Sequence, residues 1–108
     1  MTSPQPSRRR LPNRRVSETL GLELNGHAYI VTTSNFGDGK LAEIFMSNKK
    51  RGGDVDTNAR DAAIILSFAL QHGADVEAIR HALCRDSRGR PQGPIGAALD
   101  LLAGLKSV

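Results

Sequence analysis

The sequence predicts an α+β fold, a three-stranded antiparallel β-meander followed by three helices packed on one face. Hydrophobic alternation with a period of two and turn-forming dipeptides fill residues 17–46, and from about residue 54 the apolar residues fall at helical spacing. Strands followed by helices are typical of a helical layer on an antiparallel sheet. The 108 residues have room for one core, so we predict a single domain over residues 16–108 after a tail over residues 1–15.

The first two strands are predicted from alternation and from a turn. Leu20, Leu22 and Leu24 alternate with polar or small residues, which indicates a strand with one buried face. Asn25-Gly26 follows, the dipeptide preferred in tight hairpin turns because both central residues need a positive φ. The β-branched residues 30–33 then predict a second strand antiparallel to the first.

The third strand is predicted over residues 41–46, after a second reversal at Gly37-Asp38-Gly39. Three strands joined by two short turns make a meander. One face of this meander is expected to be covered by the helix centred on Leu66.

The first helix is predicted to be the central element of the core. Its apolar positions are Ala59, Ala62, Ala63, Leu66 and Leu70, widened by Ile64, Ile65 and Phe68. Between residues 62 and 70 the only polar residue is Ser67, so the helix should be buried on most sides. Gly73 is expected to end it. Three side chains carry an oxygen suited to capping its first turn: Asp54, Asp56 and Thr57.

Two shorter helices are predicted to follow. Asp75 is placed to cap the second helix, and Pro94 occupies the first position of the third, where proline is favoured. The apolar face of the second helix comprises Val76, Ile79, Ala82 and Leu83. That of the third comprises Ile95, Ala98, Leu99, Leu102 and Leu105.

The positive charge of the sequence is concentrated at its start. Lys and Arg total 15 against 11 Asp and Glu, a net charge of +4. The first 15 residues hold five arginines and no acid: Arg8, Arg9, Arg10, Arg14 and Arg15. The rest of the chain is therefore close to neutral. Prolines and serines among the arginines predict a disordered basic tail, and a nucleic acid bound by this tail is one candidate partner.

The sequence offers little for catalysis. Cys84 is the only cysteine, which excludes an intrachain disulfide, a thiolate zinc cluster and a dithiol redox pair. His81 lies three residues earlier, a spacing at which thiol and imidazole can meet on a helix, but a small buried cysteine beside a solvated histidine explains the same pattern. We predict no catalytic residue, no metal and no cofactor.

No apolar run approaches the ~20 residues of a membrane span, so a cytoplasmic location without a membrane partner is expected.

Two loops carry cations into the N-terminus of a helix, an arrangement that suits a phosphate or another anion. The favoured loop precedes the third helix and includes Arg85, Arg88, Arg90, Gly93, Ile95 and Gly96. The other precedes the first helix and includes Lys49, Lys50 and Arg51. The alternative is that both loops are solvated connections, since charge runs usually only solvate.

Four segments in order resemble the TSCPD domain, which is found at the C-terminus of vitamin B12-dependent ribonucleotide reductases and in short standalone proteins. They are residues 36–45 (FGDGKLAEIF), 59–63 (ARDAA), 70–73 (LQHG) and 93–100 (GPIGAALD). Residues 11–15 (LPNRR) also resemble the start of the standalone members. The resemblance covers about residues 11–103.

The sequence departs from the segment that gives the family its name. Where a Thr-Ser-Cys-Pro-Asp-like stretch is expected, the chain has Arg51-Gly52-Gly53-Asp54, without cysteine or proline. A metal or thiol role of that cysteine therefore cannot be transferred, and the simplest role for Asp54 is a helix cap.

The resemblance implies an association with deoxyribonucleotide synthesis and a label of ribonucleoside-diphosphate reductase. Reduction in that family needs a radical cysteine, a reducing cysteine pair and a large barrel, which one cysteine in 108 residues cannot supply. We therefore expect a non-catalytic accessory or regulatory module that binds a protein partner, either a reductase-like protein or a second copy, or a nucleotide. The alternative is a nucleic-acid-binding protein that uses its arginine-rich tail.

Overall fold

The computed structural model describes residues 8, 9 and 17–106. Its elements are β1 (Ser17–Leu24), β2 (His27–Asn35), β3 (Leu41–Asn48), α1 (Asp54–Gln71), α2 (Val76–Ala82) and α3 (Pro94–Lys106). The three strands form one antiparallel sheet in the order β1-β2-β3. The predicted α+β fold, a meander followed by three helices, is confirmed.

The hairpin between β1 and β2 forms at the predicted dipeptide. Asn25 and Gly26 have φ angles of 52° and 79°, both in the left-handed region that the tight turn requires. Leu24 lies opposite His27 across this turn, and the register continues without a break to Ser17 opposite Ser34. One face of the strands, including the three leucines of β1, is thereby directed toward the helices.

The core lies between that face of the sheet and the helices. From the sheet it takes Tyr29, Val31, Leu41, Ile44 and Met46. From the helices it takes Ala59, Ala63, Leu66, Leu70, Ile95, Ala98 and Leu99. The predicted burial of Leu66 is confirmed, since only 5% of its surface is exposed.

The prediction that α1 is buried on most sides is wrong. Ile64, Ile65 and Phe68 are 48%, 69% and 49% exposed. The physical reason is the position of α1, which packs beside β3 at the edge of the sheet. One side of the helix therefore meets the core, and no element in the described part of the chain covers the other side.

The helix termini follow the predictions in part. Asp75 caps α2 by accepting a hydrogen bond from the Glu77 backbone N–H at 3.0 Å, and Gly73 follows α1 with a φ of 93°. The cap predicted at the start of α1 is wrong, because Gly53 is the N-cap residue and no side chain bonds to the cap position. Asp54 is instead the first helical residue, where its charge favours the helix dipole.

Candidate functional site

The outer edge of β3 is bonded to polar side chains of α1. The Ser67 hydroxyl accepts a hydrogen bond from the Ile44 backbone N–H at 2.9 Å and donates one to the Ile44 carbonyl oxygen at 2.9 Å. One turn later, the Gln71 side-chain amide donates to the Ala42 carbonyl oxygen at 3.1 Å. Ser67 and Gln71 are both buried. These bonds satisfy backbone groups that a further strand would otherwise pair with.

A buried carboxylate extends the same arrangement to the end of β3. Asp56 is 1% exposed and accepts hydrogen bonds from the backbone N–H groups of Asn48 at 2.9 Å and of Gly52 at 3.2 Å. The Arg51 and Arg60 guanidinium groups lie 3.7 and 3.8 Å from the same carboxylate. The hydrogen bond from Gly52 is the largest of the effects that lower the pKa of Asp56 below its usual value. Asp56 therefore stays ionised and holds the loop onto α1.

This geometry bears on the anion site predicted at the start of α1. Lys49 and Lys50 are exposed, and Arg51 is directed to Asp56. The carboxylate of Asp56 thus already occupies the place in the loop where backbone donors and a cation converge. An external anion would have to compete with this internal one.

A strip of exposed apolar side chains crosses from the open face of the sheet to the outer side of α1. We call it the apolar strip and define it as Ile30, Phe45, Ile64, Ile65 and Phe68, which are between 40% and 69% exposed. Ile30, Phe45 and Ile64 line one groove of about 370 Å³, and Arg51 and Arg60 line the same groove. Phe68 neighbours both Ile64 and Ile65 on the surface of α1, four and three residues later in the helix. The strip is therefore one continuous surface with cations along one side.

Two arginines of the predicted tail contact the folded domain near the end of this strip. The Arg8 guanidinium lies over the Phe68 ring, 4.5 Å from its centroid, and bonds to the side-chain oxygen of Gln71. The Arg9 guanidinium lies 3.9 Å from the centroid of the Phe36 ring and pairs with Asp38 at 3.2 Å.

A backbone hydrogen bond adds to these contacts, because the Arg9 N–H donates to the Gln71 carbonyl oxygen at 2.7 Å. Arg8 and Arg9 thus have partners within the protein. The other candidate tail residues, Arg10, Arg14 and Arg15, lie outside the described residues.

Arg85 lies in the loop before α3, the favoured of the two predicted anion sites, and its side chain is bonded to α3. Its guanidinium donates to both carboxylate oxygens of Asp100, at 2.7 and 2.8 Å, and to the Gly89 carbonyl oxygen at 2.9 Å. Arg80 of α2 donates to the same carboxylate at 3.1 Å. These two arginines, with Arg85 contributing most, lower the pKa of Asp100 to about 2. The cluster joins α2, the loop and α3.

The remaining loop residues do not converge on one point. Arg90 pairs with Asp86 at 3.0 Å, whereas the Arg88 side chain is exposed and forms no ion pair within the described residues. Gly96 is buried, and a Cβ at this position would lie 3.2 Å from that of Pro91, so the glycine serves close packing. Gly93 and Ile95 line an apolar groove of about 390 Å³ on another side of the loop.

Cys84 is exposed and lies beyond the end of α2, so its predicted position on the helix and its predicted burial are both wrong. It borders the groove that Gly93 and Ile95 line. His81 is directed toward Glu77, at 3.7 Å, one turn earlier on α2. The structure therefore does not assemble a thiol–imidazole pair.

Within the described ranges, no three His, Cys, Asp or Glu side chains lie together in a way that could hold a metal ion. The helices in that part of the chain are too short or too polar to cross a membrane.

Sequence reasoning missed the polar residues that attach α1 to β3. Ser67 had a signal, since it is the one polar residue in an otherwise apolar stretch of helix. The role of Asp56 had none, because its partners are backbone groups of the preceding strand and loop.

The fold and the surface define a small α+β domain with an edge helix and an exposed apolar strip. The chain belongs to the TSCPD domain family, which matches residues 3–105. The resemblance predicted from the four segments in the sequence is thereby confirmed.

Three relatives are named vitamin B12-dependent ribonucleotide reductase. The protein from Agrobacterium fabrum is 37% identical over 70 residues, which cover 65% of this chain and 6% of the relative. The protein from Bradyrhizobium diazoefficiens is 31% identical over 88 residues, 82% of this chain and 7% of the relative. The protein from Rhodopirellula baltica is 31% identical over 75 residues, 69% of this chain and 7% of the relative.

This chain therefore corresponds to a small part of these reductases, 6–7% of their length. No solved structure gives a significant match to it.

Proposed function

We propose that this protein is a non-catalytic accessory module of ribonucleotide reduction that docks on a protein partner through the apolar strip. The family relation supports the process, since relatives at 31–37% identity are named as reductases. The single observation that carries the docking role is the exposure of five large apolar side chains on one continuous surface.

The size of the apolar strip fits a binding surface. Two half-exposed phenylalanines and three isoleucines present on the order of 500 Å² of apolar surface, which is in the range of the largest patches on monomeric proteins, and such patches are often functional. A protein interface of standard size buries about 800 Å² on each partner, of which roughly 60% is apolar. The strip therefore provides the apolar part of one such interface.

The charges beside the strip indicate the chemistry of the partner. Arg51 and Arg60 border the groove with side chains 65% and 55% exposed, and Arg8 lies over Phe68 at another part of the strip. A complementary surface would place apolar side chains at its centre and carboxylates at its rim. The expected partner is thus an acidic, apolar surface on a reductase chain.

The experiment measures binding between this protein and a purified vitamin B12-dependent ribonucleotide reductase from the same organism by surface plasmon resonance. We expect binding that Ile65→Glu weakens at least tenfold, because it places a charge in the centre of the interface. Leu105→Glu is the matched control, since Leu105 is 52% exposed but lies on α3. Absence of binding to the reductase, or equal loss in both variants, would overturn the proposal.

The non-catalytic part of the proposal has its own test. Purified protein supplied with ribonucleotides, cobalamin and dithiols is expected to form no deoxyribonucleotide. Product that is formed by the wild type and by Cys84→Ser would refute the chemical argument. Product abolished by that substitution would make Cys84 a catalytic residue.

A nucleotide is the second ligand that the sequence predicts, at the loop before α3. Arg88 is exposed there and has no ion pair within the described residues, and the first backbone N–H groups of α3 have no partner within the helix. Titration with a nucleoside triphosphate, followed through backbone amide shifts at residues 93–97, tests this site. Shifts that vanish in Arg88→Ala support it, and no shifts at millimolar nucleotide exclude it.

Nucleic acid binding by the tail is the remaining alternative. Five arginines acting on phosphates would give a log–log salt slope of about −3.5 on single strands to about −4.5 on duplex. Because Arg8 and Arg9 are engaged by Phe68, Phe36 and Asp38, fewer cations are free, and we expect a shallower slope.

A further inference from the structure

The outer edge of β1 carries backbone groups that no described residue pairs with. The Ala28 carbonyl oxygen accepts a hydrogen bond from Lys49, so Ala28 is directed toward β3. Because antiparallel strands alternate, Tyr29 is directed toward β1, and its register partner Leu22 toward β2. The N–H and C=O groups of Glu23, Gly21 and Thr19 must then point away from the sheet.

The side chains of β1 give this edge two charges, Glu18 and Glu23, and no other protection. Ser17, Thr19, Gly21 and Glu23 are exposed, and the strand of eight residues contains no lysine, proline or bulge. These are the features by which natural proteins usually prevent edge-to-edge pairing. Gly21 lies near the middle of the strand, where a Cβ would meet no atom within 4 Å. Among the described residues, nothing pairs with this edge, and the strand is regular along it.

We propose that β1 pairs in antiparallel fashion with β1 of a second copy, joining the two three-stranded sheets into one sheet of six strands. The two-fold axis passes through Leu20, so that Thr19 of one copy lies opposite Gly21 of the other and forms the hydrogen-bonded pair. On the core face, Leu20 meets its own counterpart. The half-buried Leu20 and Leu22 are thereby covered further.

The positions of the charged residues on β1 support a second copy as the partner and support this register. Glu18 and Glu23 lie on opposite faces of β1. When two copies of β1 pair in antiparallel fashion with their core faces on the same side, Glu18 of one copy therefore never lies opposite Glu23 of the other. In the register centred on Leu20, Glu23 of one copy lies opposite Ser17 of the other.

The β1 edge of a second copy is favoured over its β3 edge as the partner of β1. The outer edge of β3 is bonded to Ser67, Gln71 and Asp56, so it cannot add a strand without losing α1. The edge of β1 is the other edge of the described sheet, and it is complementary to itself. Since seven paired residues make a small interface, we expect a dissociation constant in the micromolar range or weaker, on the order of 10–100 µM.

Sedimentation equilibrium of the full chain, from about 1 µM to 1 mM, tests the proposal. We expect a monomer–dimer equilibrium that Gly21→Pro shifts to monomer by at least tenfold. Proline removes the outward N–H but leaves the inward bonds of Leu20 and Leu22 to β2, and edge strands tolerate it. Circular dichroism establishes that this variant is folded. A monomer at 1 mM, or a dimer lost in Phe45→Glu but kept in Gly21→Pro, would overturn the proposal.

Disulfide cross-linking gives a second measurement that does not depend on the proline variant. In a Cys84→Ser background, Leu20→Cys places two thiols directly opposite across the two-fold axis, where Cα atoms about 4.5 Å apart permit a disulfide. Leu22→Cys is the matched control on the same face, because its counterpart lies four residues away along the strand. With oxidised glutathione added as the oxidant, we expect covalent dimer from Leu20→Cys alone. Equal cross-linking of both variants, or of neither, would contradict the register.

This inference is separate from the proposed function, because the strip residue tested, Ile65, lies on α1 beside β3, whereas the proposed pairing uses the outer edge of β1, the other edge of the described sheet. Loss of reductase binding in Ile65→Glu with the dimer intact would concern only the strip. Loss of the dimer in Gly21→Pro with reductase binding intact would concern only the edge.

Discussion

The two edges of the sheet are treated differently by the rest of the chain. At β3, three buried polar side chains from α1 bond to the strand's outward backbone groups: Ser67, Gln71 and Asp56. At β1, the outward groups of Thr19, Gly21 and Glu23 meet no described residue, although α3 packs against the inner face of the same strand. Hydrogen bonds from α1 therefore occupy the outer edge of β3, whereas among the described residues the outer edge of β1 has no such partners.

In the orientation that places its polar side chains beside β3, helix α1 exposes apolar residues on its outer side. Ser67 faces β3, whereas Ile64, Ile65 and Phe68 face outward. An ordinary amphipathic helix would place polar residues on that outer side. The covered edge and the exposed strip are thus two consequences of one orientation of α1.

The largest expected effect is on the packing of α1. Leu66→Ala removes a side chain that is 5% exposed, and we expect a loss of about 2–5 kcal/mol in the free energy of unfolding. Its neighbour Ile65 is 69% exposed, so Ile65→Ala should change stability by less than about 0.5 kcal/mol. Urea denaturation measures both. Similar losses in the two variants would mean that α1 is oriented otherwise.

The second prediction compares the two edges directly. Ser67→Ala leaves the N–H and C=O groups of Ile44 without their partner in a buried place, which we expect to cost about 1–3 kcal/mol. Thr19→Ala on β1 removes only an exposed hydroxyl contact with Thr32 and should cost less than about 0.5 kcal/mol. The same denaturation experiment checks this pair. A costly Thr19 variant and a neutral Ser67 variant would reverse the comparison.

The smallest expected effect concerns the helices beside β1. Arg85 and Arg80 lower the pKa of Asp100 in the folded protein to about 2, below its usual 3.8. Since the folded pKa is depressed, this contribution to stability is present above about pH 4 and is lost as the pH falls toward 2. Asp100→Asn should cost about 1 kcal/mol at pH 7, because the carboxylate is partly exposed.

Denaturation from pH 5 to pH 2 measures this effect. The decline of stability in that window should be shallower for Asp100→Asn than for the wild type. The Asp61→Asn variant, at an exposed position on α1, serves as the control and should follow the wild-type curve. A variant curve parallel to the wild type would show that Asp100 does not contribute.

The elements of the fold could be predicted because their signals are local. Asn25-Gly26 needs only its own backbone conformation to form the hairpin, and Pro94 and Gly73 mark helix ends in the same way. The orientation of α1 could not be predicted. Apolar residues lie nearly all round this helix, so their spacing does not indicate which side faces the core. Only Ser67 distinguished one side, and a lone serine in an apolar helix indicates a buried polar partner as readily as a solvated face.

The candidate site depends on contacts that are distant in sequence. Asp100 meets Arg85 and Arg80, 15 and 20 residues earlier, and Arg8 meets Gln71 across 63 residues. Composition and charge runs carry no information about such pairings. The sequence therefore predicted where cations lie and could not predict which of them already have partners within the protein.

The bonds between Ser67 and Ile44 also have a consequence for how the protein opens. The amide hydrogen of Ile44 lies on an edge strand but can exchange with solvent deuterium only when α1 leaves β3. Its protection should therefore equal that of amides in the central strand β2, with α1 and β3 unfolding as one cooperative unit. In the monomer, the outward amides of Thr19, Gly21 and Glu23 should instead exchange almost as fast as those of a loop.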